Sequence, residues 1–67
     1  MSAMVEFRQV NTRVIHVRAD DVSVVEDGDP TLRGDPVSKL WMVYGHYYIV
    51  YGSAKEVLNK LFGGNEG

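Results

Sequence analysis

The chain has 67 residues, no cysteine and a formal charge of -2 from 7 basic and 9 acidic side chains. That length makes one domain, and a chain of this size buries only about 60% of the surface its unfolded form exposes. The missing thiols exclude disulfides, Cys-based zinc sites and thiol catalysis, leaving oligomerisation as the usual support for so small a core.

Met4 to Val10 alternates Val5, Phe7 and Gln9 with Met4, Glu6, Arg8 and Val10, which predicts a first strand. Nothing upstream has a cationic segment followed by an apolar run, so no signal peptide is expected. Asn11-Thr12 predicts a tight turn. Arg13 to Arg18 is a second strand with Ile15 and Val17 on one face and Val14, His16 and Arg18 on the other. Ala19-Asp20-Asp21 breaks the alternation, and Val22 to Glu26 is a short third strand. His16 is expected to be a cross-strand packing partner, and the Asp20-Asp21 pair lacks the spacing of a calcium loop.

Residues 27–38 have no apolar periodicity and hold Gly-Asp-Pro twice, at Gly28–Pro30 and Gly34–Pro36. A loop of this length is functional or disordered, and disorder is the reading preferred here. Six of the seven charges in residues 20–35 are acidic, with Arg33 the exception, and the run reads as a solvated loop. Arg33-Gly34-Asp35 spells a cell-adhesion tripeptide and is read as chance.

Leu40 to Tyr51 then predicts a hairpin around Gly45. Either Gly45-His46 or Tyr44-Gly45-His46 forms its loop, with His46 a solvated turn residue. The chain's single Trp and all four of its Tyr lie here. Leu40, Met42 and Tyr44 point one way and Trp41 and Val43 the other; Tyr47, Ile49 and Tyr51 oppose Tyr48 and Val50. Neither face is polar, unlike a sheet with one solvated side. Ser53-Ala54-Lys55-Glu56 is a capping box opening a helix over 53–62. Val57, Leu58, Leu61 and Phe62 share its apolar face, Lys55 and Lys60 stay outside, and Gly63-Gly64 ends it. Residues 65–67 are expected to fray.

The expected fold is α+β: one small domain over 1–64, an antiparallel sheet of four to five strands with one C-terminal helix. One helix covers one face of the sheet, so the aromatic residues of the other mark an interface. The candidate contact residues are Trp41, Val43, Tyr44, Tyr47, Tyr48, Val50 and Tyr51. The interface is Trp41, Val43, Tyr48 and Val50 or the opposite set. A sheet curled enough to bury both faces in a monomer is the competing reading. Base stacking wants Lys and Arg among the rings, and only Lys39 and His46 lie near, so no nucleic-acid partner is expected. No stretch approaches the ~20 apolar residues of a membrane span. No set of nucleophile, base and orienting group can be assembled, so no catalytic, metal or cofactor residue is assigned and no enzyme is expected.

Val22, Val25-Glu26, Leu40, Met42, Gly45, Tyr48, Val50, Ser53, Glu56-Val57 and Leu61 follow a pattern. By these residues the chain resembles the short FlbD-like flagellar and swarming-motility proteins of bacteria; similar short chains occur in phages. The resemblance implies a non-enzymatic protein working through protein contacts. The chain departs from that pattern in its long loop over 27–38. It also departs in having Trp41, Tyr44, Tyr47 and Tyr51 where polar residues are common, and no functional residue is carried over. The function expected is that of a small cytoplasmic homo-oligomeric interaction module, a dimer in the first instance, regulating or inhibiting a larger partner. The alternative is a binder of a nucleotide-like small ligand, with a pocket between protomers.

Overall fold

Two hairpins with the same loop geometry frame the molecule, which the computed structural model describes over residues 4–63. In the first, β1 (Met4–Arg8) pairs antiparallel with β2 (Val14–Arg18), with Val5 opposite Val17 and Phe7 opposite Ile15. In the second, β4 (Val37–Met42) pairs antiparallel with β5 (Tyr47–Tyr51). Between them a 3-10 turn, Ala19–Asp21, leads into β3 (Val22–Asp27), which pairs with β4. The fold is therefore small α+β, with a two-stranded and a three-stranded antiparallel sheet and one C-terminal helix, α1 (Ala54–Leu61). Among the described residues a single bridge, Gln9 to Val50, joins the sheets edge to edge, so the spatial order is β2-β1-β5-β4-β3.

Each hairpin loop has three residues and closes in the same way. Thr12 N–H donates to the Gln9 carbonyl and Gln9 N–H to the Arg13 carbonyl; Gly45 N–H donates to Met42 and Met42 N–H to His46. This is a tight turn followed by one residue at positive φ. The second loop is thus Val43-Tyr44-Gly45, and both expected loops, Gly45-His46 and Tyr44-Gly45-His46, are corrected. Trp41 lies opposite Tyr47 and Leu40 opposite Tyr48. Glycine placed third in the loop sets this register, because only there does φ reach +91°. In the first loop the same position is Thr12, at φ +73°. A β-branched residue pays for the left-handed region with about 1–2 kcal/mol, partly offset by glycine's greater unfolded entropy of about 0.5–1 kcal/mol. Thr12→Gly is expected to raise stability by about 0.5–1 kcal/mol, read as a higher urea midpoint; a lower midpoint would show that threonine is not strained there.

One core unites both sheets and the helix: Phe7 and Val17 from the first sheet, Leu40, Met42 and Val50 from the second, and Val57 and Leu61 from α1. A bulge decides how β3 joins it. Val22 lies opposite Met42 but Val24 opposite Trp41, so one extra residue resets the alternation. Val22 and Val25 therefore both pack on the core while Val24 faces outward.

The helix bears out its capping box. Ser53 Oγ accepts from Glu56 N–H at 3.2 Å, and Glu56 Oε1 accepts from Ser53 N–H at 2.8 Å. Asp27 Oδ1 adds a bond from Ala54 N–H at 2.8 Å, tying the end of β3 to the helix start. Of the four residues assigned to the apolar face only Val57 and Leu61 are buried; Leu58 and Phe62 are exposed. Eight residues give two turns, and the sheet beneath reaches only a single i, i+4 stripe. The expected long loop shortens to 28–36, because Asp27 pairs with Ser38 and both belong to strands. Thr31 N–H donates to the Asp35 carbonyl and Gly34 N–H to Thr31, closing a turn in its middle. Met1–Ala3, Gly64 and the expected fraying tail, 65–67, lie outside the described residues.

Candidate functional site: the outer face of the three-stranded sheet

Strand alternation sorts the aromatic hairpin into two environments. Ser38, Leu40, Met42, Tyr48 and Val50 point inward, beneath the helix and the first sheet. Val50 is 0% exposed and Tyr48 packs on the core, so Val50 is core and not a contact residue. The expected grouping of Trp41 with Tyr48 and Val50 is thereby corrected, since the actual register puts Trp41 beside Tyr47. Ser38 is the buried polar residue of this layer, and its hydroxyl donates to the Gly52 carbonyl at 2.7 Å.

The outward side chains form two rows across the sheet: Val24, Trp41 and Tyr47 in one, Glu26, Lys39 and Ile49 in the next. Trp41 and Tyr47 rings lie 4.8 Å apart between centroids and tilt 49° to one another, a tilted contact at the separation of aromatic pairs. The Lys39 ammonium sits 4.8 Å from the Tyr47 centroid and 5.7 Å from that of Trp41, within reach of both ring faces. Trp41 Nε1 donates to Glu26 Oε1 at 2.9 Å. The platform's rings are thus bonded by polar groups of the same face while their apolar surface is part-exposed to water. Val24 is 46% exposed, Tyr47 44% and Val43, at the hairpin tip, 62%. The curled monomer with both faces internal does not describe this sheet.

Tyr44 and Tyr51 lie apart from this platform. Tyr44, in the hairpin loop, shares a hydrogen bond with Tyr48 that, with local desolvation next, raises its hydroxyl above the ordinary tyrosine value. His46 packs edge-on against Tyr48 with centroids 4.7 Å apart. Tyr51 lines an open cleft of about 330 Å³ with Phe7, Arg8, Gly52, Glu56, Val57 and Lys60. His16 Nε2 lies 3.6 Å from Glu6 Oε1 across β1 and β2, the cross-strand partnership expected of it. Among the described residues no group of three or more His, Asp or Glu side chains could hold a metal ion. Among them also, no helix is long and apolar enough to cross a membrane.

Sequence reasoning missed Val24, Glu26, Lys39 and Ile49 as members of the platform. Glu26 read as the end of the third strand and as one charge of an acidic run, and only the bulge and the register of β3 on β4 bring it beside Trp41. Compared with known proteins, the chain matches no family model, no curated protein and no solved structure.

Proposed function

We propose that this protein is a small cytoplasmic interaction module that works through protein contacts rather than catalysis, and that its first partner is a second copy of itself. The observation that carries this reading is the outer platform of Val24, Trp41 and Tyr47, part-exposed on the side of the sheet opposite the core. Tyr and Trp supply large contact area with a polar tip, and are enriched where proteins meet. Lys39 and Glu26 sit side by side on adjacent strands, an opposite-charge pair that a second copy related by a two-fold axis can match. The resemblance to the FlbD-like proteins favours the same class of function, and a regulator or inhibitor of a larger partner fits it.

Sedimentation at micromolar concentration tests the reading. The wild type is expected to exceed the mass of one chain, and Trp41→Glu to weaken association about tenfold or more. A wild type that sediments as a single chain throughout would end it. The cleft between Arg8, Tyr51 and Lys60 favours a second reading, a site for an anionic, nucleotide-like ligand. It predicts a thermal shift with nucleotides, and a flat response across them rejects it.

A further inference from the structure

The strands β2 and β3 follow one another through the Ala19–Asp21 turn, yet they do not pair. They are the two ends of the order β2-β1-β5-β4-β3, each bonded to one neighbouring strand. A strand edge displays N–H and C=O groups that can accept a strand from another chain. These two edges differ in charge. Arg13 and Arg18 flank or end β2, with His16 between them; Asp21 precedes β3, Glu26 and Asp27 close it and Asp29 follows.

Charge on an edge ordinarily blunts it against pairing. Here the signs repel β2 from another β2 and β3 from another β3, while matching β2 to β3. Whichever way the added strand runs, both cationic ends of β2 meet acidic ends of β3. We infer that copies of this chain also associate head to tail, β2 of one copy adding to β3 of the next. The inference rests on the self-association proposed above but uses the strand edges, which meet the aromatic platform only at Glu26. Strand addition would carry the outer face onward: Val14, 46% exposed on β2, extends the side of the sheet that presents Val24 and Trp41. Because the two edges are unlike, the contact repeats into a ring or an open array and does not stop at a dimer.

The test is a charge exchange read by sedimentation. One variant carries Arg13→Glu with Arg18→Glu, both at exposed positions outside the platform. The other carries Asp21→Arg with Asp29→Arg, at either end of β3 and outside the platform. The wild type is expected to form species larger than a dimer. The first variant is expected to reach a dimer at most, its edge contact about tenfold or more weaker through like-charge repulsion. Mixing the two variants restores larger species, because the reversed β2 of one matches the reversed β3 of the other. Unchanged far-ultraviolet circular dichroism confirms that both remain folded. A first variant with wild-type mass, or a mixture with nothing larger than its separate components, overturns the edge contact. Trp41→Glu without effect, beside a first variant that does lose mass, instead overturns the platform as a contact.

Discussion

Leu40→Ala is expected to lower the stability of the fold by about 2–5 kcal/mol, the range for removing a fully buried leucine. Leu40 is 0% exposed and sits in the central strand β4, bonded to β3 on one side and β5 on the other. Its side chain belongs to the one cluster that joins both sheets and the helix, so the void would open where all three elements meet. A chain of this size has about 3–10 kcal/mol of stability in total. The loss is therefore a large share of it, and with an m-value near 1 kcal/mol/M the urea midpoint falls by about 2–5 M or folding fails outright. Val24→Ala is the control, because Val24 is 46% exposed on the outer face and its truncation should cost about 0.5 kcal/mol or less. Equal midpoints for the two variants would show that β4 is not the centre of the core.

The capping box, the alternation of Phe7, Val17 and Ile15, and the apolarity of both hairpin faces were all legible in the sequence, because each follows from a local rule. Ser53 and Glu56 need only each other, and period-2 patterns need only a strand. What was not legible depended on residues distant in sequence. The register of the aromatic hairpin turns on which loop position needs positive φ, and a lone glycine fits several loops. Its position with His46 after it suggested a turn centred one residue later. The Ser23–Val24 bulge leaves no mark in composition, yet it reverses which β3 residues face out and so brings Glu26 to Trp41. Leu58 and Phe62 read as core because helical periodicity gives the direction of a stripe but not its width. Val50 was misplaced for a related reason: with two apolar faces, pattern alone does not say which face the helix covers.

That ambiguity is resolved by two substitutions in one strand, three residues apart. Val50→Asp is expected to abolish folding at neutral pH, whereas Tyr47→Asp leaves the fold nearly intact and weakens self-association. Val50 is 0% exposed between Ser38 on β4 and the Gln9 bridge to β1. A carboxylate there would meet Leu40, Met42 and Val57, with no cation in the core cluster to balance it. Burying an unpaired charge costs several kcal/mol even after relaxation, comparable to the whole stability of about 3–10 kcal/mol for this chain length. Circular dichroism of Val50→Asp should thus show an unfolded chain, with partial recovery near pH 4 where the carboxyl is neutral. Tyr47 is 44% exposed, so an aspartate there stays in water. It forfeits the tilted 4.8 Å ring contact with Trp41 and the contact with Lys39, and its charge opposes a second copy across the platform. Its spectrum should match the wild type while its sedimentation coefficient falls. If instead Tyr47→Asp unfolds the chain and Val50→Asp only dissociates it, the inner and outer faces of this hairpin are exchanged.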